Sequence, residues 1–346
     1  MSVTFLVLAA LVLTCSAVHA QPASATAPTT APTTAPATPA PMLLAKQRAD
    51  PFVVRHTDGF YYFTATAPEY DRLVLRRSPT VEGLTTAEEK VIWRKHEKGI
   101  MGAHIWAPEI HFIDGKWFVY FAAGEAEQKW NIRMYVLENS SPNPLEGEWV
   151  ERGQIKTKWE SFSLDATTFE HRGTRYLAWA QRDPSVKNNT DVYLAKMSSP
   201  TTIVGEPVRL TRPELPWETR SLKVNEGPAV LIRNGRVFMA FSANRTDADY
   251  AMGLLTADEN ADLLDAKSWK KSPEAVFKSS ERAQLFGPGH NSFTTTPDGR
   301  TDLLVYHARD YEKIDGDPLR NPDRHARVQP FTWNPDGSPS FGEPVK

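Results

Sequence analysis

Pro108-Glu109-Ile110-His111-Phe112-Ile113-Asp114-Gly115-Lys116-Trp117-Phe118-Val119-Tyr120-Phe121 joins an apolar run to an aromatic-rich run through a single Asp-Gly pair. Asp-Gly closes tight hairpins because glycine accepts positive φ without steric penalty, so the stretch reads as two antiparallel strands. Working outward, the same pattern recurs in Asp50–Phe63, Asp165–Trp179, Gly227–Phe241 and His290–Tyr306. Asp58-Gly59, Asn234-Gly235 and Asp298-Gly299 supply equivalent turns. Repeat starts lie about 58, 57, 62 and 63 residues apart, a period that suits a four-stranded unit with long loops. The expected architecture is therefore all-β, a five-bladed β-propeller. An array of immunoglobulin-like sandwiches would need separable units of about 100 residues, and no linker divides the repeats. One short helix is expected, over Asp258–Lys267.

The N-terminal region has a different composition. Phe5–Leu13 is an apolar run too short to span a bilayer, and Val18-His19-Ala20 fits a signal-peptidase site. Residues 1–20 are thus expected to be a signal peptide, directing the protein to the periplasm or the medium. Residues 21–41 are almost entirely Pro, Ala, Thr and Ser, the composition of an extended solvated linker, which leaves 42–346 for the folded domain. Cys15 is the single cysteine and would be lost with the signal peptide, excluding disulfides, cysteine-based metal sites and cysteine nucleophiles. A net charge of −2 without a basic block argues against nucleic acid or an anionic membrane as partner. Ten tryptophans are many for this length, and aromatic faces suit the apolar faces of sugar rings. There is no Gly-x-Ser-x-Gly elbow and no phosphate-binding glycine loop.

In a propeller the first strand of each blade lines the central channel, so the residues that open each repeat converge. Those residues are Asp50, the segment Trp106–Glu109, Asp165, Glu226 and His290. Three carboxylates and a histidine at equivalent positions are a candidate acid–base site. Trp106 offers a platform for a sugar ring and Phe52 a wall beside it. Glu109, further along its strand, reads as structural. Asp310–Asp323, acidic and rich in Pro and Gly, reads as a surface loop. The rim loops Glu125–Trp130 and Arg212–Lys223 are where specificity would be decided.

Ala49-Asp50-Pro51-Phe52, Ile105-Trp106-Ala107-Pro108-Glu109, Ser163-Leu164-Asp165-Ala166, Asn225-Glu226-Gly227-Pro228 and Gly287-Pro288-Gly289-His290-Asn291-Ser292 resemble, one per blade and in order, the motifs of family-43 glycoside hydrolases. The similarity is greatest to the exo-acting α-L-arabinofuranosidases. The resemblance implies inversion at the anomeric carbon, with Asp50 as general base, Glu226 as general acid and Asp165 holding the acid in place and its pKa high. It also implies that Arg327 contacts the sugar's hydroxyls, and that His290 at the pocket floor holds water or a calcium ion in the channel, with no cofactor required. The expected partner is plant cell-wall polysaccharide or oligosaccharide. β-Xylosidase, endo-arabinanase and a non-catalytic sugar-binding propeller stay open as alternatives. Arg182-Asp183-Pro184 copies a motif of fructan-cleaving propellers, but it follows the second strand of its repeat and is set aside.

Overall fold

The structure, a computed structural model, describes residues 1–3 and 39–346. All but the first three residues of the expected signal peptide, Cys15 and nearly all of the expected linker lie outside the described residues.

Five four-stranded antiparallel sheets form the blades of a propeller. Blade one contains β2 (Ala49–Arg55), β3 (Tyr61–Thr66), β4 (Arg72–Ser78) and β5 (Lys90–Arg94). Blade two contains β6 (Ala103–Ile113), β7 (Lys116–Gly124), β8 (Arg133–Asn139) and β9 (Val150–Gln154). Blade three is β10 (Ser163–His171), β11 (Thr174–Gln181), β12 (Asp191–Ser199) and β13 (Thr202–Thr211). Blade four is β14 (Asn225–Arg233), β15 (Arg236–Ala243), β16 (Ala251–Asp258) and the short β17 (Lys270–Lys271). The fifth blade takes β18 (Phe286–Thr295), β19 (Asp302–Arg309) and β20 (His325–Pro330) from the end of the chain, and β1 (Met42–Ala45) from the beginning. β1 pairs antiparallel with β20, Met42 opposite Val328, so ring closure joins the two ends of the domain by backbone hydrogen bonds.

Turn chemistry accounts for the hairpins. Asp114-Gly115, Arg172-Gly173 and Asn234-Gly235 are two-residue loops in which both residues have positive φ, matching the twist of the flanking strands. The expected helix over Asp258–Lys267 is absent; only a 3-10 turn at Ala266–Ser268 forms. Asp258, Asp262 and Asp265 each accept a hydrogen bond from the amide two residues on, and these side-chain turns compete with helix.

The core lies between blades. Blades two and three meet through Phe118, Tyr120 and Met134 against Leu177, Trp179 and Tyr193, and similar clusters fill the other four interfaces. Trp179 is fully buried in its wedge, and truncation of such a residue costs about 3–5 kcal/mol.

Each inner strand begins with a bulge. The pairing of β2, β6, β10, β14 and β18 with the next strand shifts at Ala49/Phe52, Ala103/Trp106, Leu164/Thr167, Glu226/Ala229 and Phe286/Gly289. At these shifts, or at the second one that follows in β6 (Trp106/Glu109) and in β18 (Gly289/Ser292), Asp50 (φ 53°), Ala107 (φ 45°), Asp165 (φ 58°), Gly227 (φ 56°) and His290 (φ 46°) are left-handed. A bulge re-aims side chains at the cost of ladder hydrogen bonds, and neighbouring blades supply replacements. Thr66 Oγ1 accepts from the Ala107 amide at 2.8 Å, and Ser242 Oγ accepts from the His290 amide at 2.8 Å. Left-handed backbone at non-glycine residues is strained, and its recurrence at the mouths of four of the five blades marks this face as a candidate functional one.

Candidate active site

The bulges deliver Asp50, Trp106, Asp165, Glu226 and His290 to one pocket of about 220 Å³. His290 Nδ1 lies 3.4 Å from Asp50 Oδ1 and 4.0 Å from Asp165 Oδ2. Asp165, Glu226 and His290 each present an atom within 4.8 Å of the others. Asp165 Oδ2 also accepts the Gly227 amide at 2.9 Å, anchoring the backbone beside Glu226. A Cβ on Gly227 would meet the His290 ring at 3.2 Å in a left-handed conformation. Gly227→Ala should therefore cost about 1–3 kcal/mol in a urea melt and displace His290. A cost below about 0.5 kcal/mol would show that the strained geometry is not required.

The carboxyls sit in opposed electrostatic surroundings. Burial pushes Asp50 up, but the Arg324 guanidinium, His290 and His307 outweigh it and hold the carboxyl well below the usual range. Arg324 Nη1 donates to Asp50 Oδ1 at 3.1 Å and Thr66 Oγ1 donates to Oδ2 at 2.7 Å. Burial lowers His307 to about 3, and its Nδ1 accepts the Asp50 amide at 3.1 Å, so Arg324 is the permanent cation on Asp50. Glu226 moves the other way. Burial raises it to about 7, with Asp50 adding to the rise and a Tyr250 hydrogen bond and Arg324 opposing it. Asp165 is likewise raised, by burial and then by repulsion from Glu226 and Asp50. Two buried carboxyls this close titrate as a pair that retains a proton where Asp50 has lost its own. One ionised and one protonated carboxyl facing the same cavity are the requirement for general base and general acid catalysis.

Two expected binding residues are elsewhere. Arg327 is buried in the fifth blade, its Nη2 donating to Asp310 at 2.6 Å, and it does not line the pocket. The physical reason is position: β20 is the third strand of its blade, two strands removed from the axis. The arginine that reaches Asp50 is Arg324, immediately ahead of β20, and Arg245 also lines the pocket. Phe52 lies further along β2, its ring 5.0 Å from His111, in a separate cavity of about 170 Å³ lined by inner strands of all five blades. Continuing past the bulge carries Phe52 away from the mouth at which Asp50 sits. Glu109 pairs with His111 at 2.9 Å and does not reach the pocket.

The expected surface loop is in part a pocket wall. Asp317 and Leu319 line the cavity, and the buried Arg309 clamps the segment through Pro318 O at 2.8 Å and Asn321 Oδ1 at 3.0 Å. A third Arg309 bond, to Thr246 O at 2.6 Å, ties in the loop between β15 and β16. Tyr70 donates to the Leu319 carbonyl from the facing side. At the rim, His104 stacks on Trp106 (4.4 Å, 17°) and the exposed Trp130 packs against both. Trp130 falls in the first expected rim loop and Leu222 in the second, and both line the pocket. Arg182 and Asp183 do not; Asp183 accepts from Ser185.

The sequence profile described as "Glycosyl hydrolases family 43" matches residues 40–339. An extracellular exo-α-(1→5)-L-arabinofuranosidase of Streptomyces avermitilis is 60% identical over 302 residues, 87% of this chain and 63% of the relative. The chain thus spans less than two thirds of that protein's length. A protein of the same name from Streptomyces chartreusis is 59% identical over 275 residues, 80% of this chain and 84% of the relative. The crystal structure of an α-L-arabinofuranosidase from Lactobacillus brevis superposes with a TM-score of 0.86 at 52% identity, covering 88% of this chain and 97% of that one.

Proposed function

The chain belongs to glycosyl hydrolases family 43, and on that premise we propose that its pocket releases terminal α-L-arabinofuranosyl residues from arabinan or arabinoxylan with inversion. The observation that carries the reading is that Asp50 and Glu226 face one cavity in opposed surroundings, Asp50 held low beside Arg324 and Glu226 raised by burial. Asp50, held ionised by Arg324, takes the proton of the attacking water. Glu226 gives its proton to the departing glycosidic oxygen, and Asp165, which titrates together with it, grips the Gly227 amide and so holds the acid in place. The anomeric carbon is attacked on the face opposite the leaving group, so configuration inverts. Arg324 and the aromatic rim at Trp106 and Trp130 bind the sugar.

A volume of about 220 Å³ is below the roughly 300–1,000 Å³ of pockets that hold drug-sized ligands, which favours one pentose ring and exo action. The substrate is plant cell-wall polysaccharide, met outside the cell or in the periplasm after export directed by residues 1–20; two relatives bear the word extracellular in their names. Residues 21–41 serve as linker to the catalytic domain. Among the described residues no helix is long and apolar enough to cross a membrane.

No cofactor enters this chemistry. The pocket's donors do not fit a resident calcium ion, which takes six to eight oxygens. Both Asp50 oxygens, Asp165 Oδ2 and Glu226 Oε1 already accept hydrogen bonds, His290 offers nitrogen, and Arg324 adds a fixed positive charge.

Chromatography of products from arabinan, arabinoxylan and xylo-oligosaccharides tests the reading. Arabinose as sole product is expected. Xylose, or a ladder of arabino-oligosaccharides, would move the specificity to β-xylosidase or endo-arabinanase, and saccharide binding without any product would leave a sugar-binding propeller.

A further inference from the structure

Tyr250 takes no part in the chemistry above and does not line the pocket, yet it touches both halves of it. It stands just before β16, 1% exposed, and its hydroxyl donates to Glu226 Oε1 at 2.8 Å. Its ring stacks on His307 (5.5 Å, 10°), the residue whose Nδ1 accepts the Asp50 amide. The ring is confined by Gly289, where a Cβ would lie 2.6 Å from Tyr250 Cε1. His307 and Gly289 thus leave the phenol one place to point. Glu226 Oε2, by contrast, has no hydrogen-bond partner among the described residues and is not sealed from solvent.

Resting on the glycosidase reading, we propose that Tyr250 is a positioning residue that fixes the general acid: its hydroxyl occupies Oε1, confines the transferable proton to Oε2, and sets the pH at which that proton is lost. A phenol donating to a carboxyl favours the ionised form, so Tyr250 limits how far burial raises the acid. Burial, followed by the charges of Glu226, Asp50 and Asp165, holds the phenol well above its usual range, so it remains a donor throughout. The other groups facing Glu226 are Asp165 from β10, Asp50 from β2, His290 from β18, His307 from β19 and Arg324 ahead of β20. Arg245 in the loop before β16 and Asp317 in the segment ahead of β20 line the same pocket and complete the set. In the reaction the Oε2 proton passes to the glycosidic oxygen and the Tyr250 proton stays in place.

Tyr250→Phe removes one oxygen from a fully packed ring. Titration of the ¹³C-labelled Glu226 carboxyl in the resting protein, assigned against Glu226→Gln, should move to higher pH by about one pH unit. The descending limb of kcat/KM should move the same way. On arabino-oligosaccharides kcat should fall about tenfold with KM little changed, while aryl arabinofuranosides with activated leaving groups are nearly spared. An unmoved titration with equal loss on both substrates would overturn the proposal. If Tyr250→Phe does not fold, Tyr250→3-fluorotyrosine keeps the shape and donates more strongly, so the titration should fall; an unmoved one would overturn the proposal equally. A shifted titration in a protein that cleaves no arabinoside would sink the substrate assignment and leave the role of Tyr250 standing.

Discussion

Asp50→Asn is expected to lower kcat by about 10²–10⁴-fold on arabino-oligosaccharides and on aryl arabinofuranosides with activated leaving groups alike. The water must lose its proton whatever departs, so leaving-group quality gives no escape. Asparagine tolerates the left-handed backbone of position 50, which keeps the bulge intact. The substitution does leave Arg324 buried without its anion, and a stability loss of about 1–3 kcal/mol in urea should accompany the kinetic one. That loss depends on pH in a defined sense. Asp50 is depressed in the folded state, so its contribution is present above its ordinary value of 3.8 and fades as pH falls toward the folded value. The stability gap between variant and wild type should close in acid. Loss confined to poor leaving groups would remove Asp50 from the role of base.

Glu226→Gln should divide the substrates that Asp50→Asn treats alike. Substrates with poor leaving groups should lose about 10²–10⁴-fold in kcat, and those with activated phenols much less, because only the former need a proton at the departing oxygen. Glu226 works protonated, so wild-type kcat/KM should decline as pH rises through about 7, and this limb should vanish in the variant on activated substrates. Equal losses on both kinds of substrate would mean that the proton comes from another group.

The electrostatic division behind both expectations rests on a pairing that spans the chain. Asp50 and Arg324 lie 274 positions apart and meet where the ring closes, Asp50 just after β1 and Arg324 just ahead of its partner strand β20. Closure therefore supports catalysis as well as stability: fraying of the fifth blade would release the cation that keeps the base ionised. Thr66, which donates to Asp50 and accepts from Ala107, likewise couples the base to the packing of blades one and two.

Local chemistry was enough to specify the blades and the acids. Strand alternation and the Asp-Gly and Asn-Gly pairs act over windows of a few residues, so the hairpins were readable in Asp50–Phe63 and Pro108–Phe121 without any tertiary contact. Because every blade repeats one pattern, Asp50, Asp165, Glu226 and His290 were legible as neighbours from their equivalent places. The sequence by itself did not separate Arg324 from Arg327, three residues apart in one basic stretch. Which of them reaches the pocket depends on how far β20 stands from the axis. It was equally silent on Tyr250 and on the clamp that makes Asp317–Leu319 a wall. Those assignments, and the opposed ionisation of Asp50 and Glu226, were decided by the tertiary structure alone. Burial and charges a few ångströms away set them, and folding brings those charges together from segments far apart in the chain.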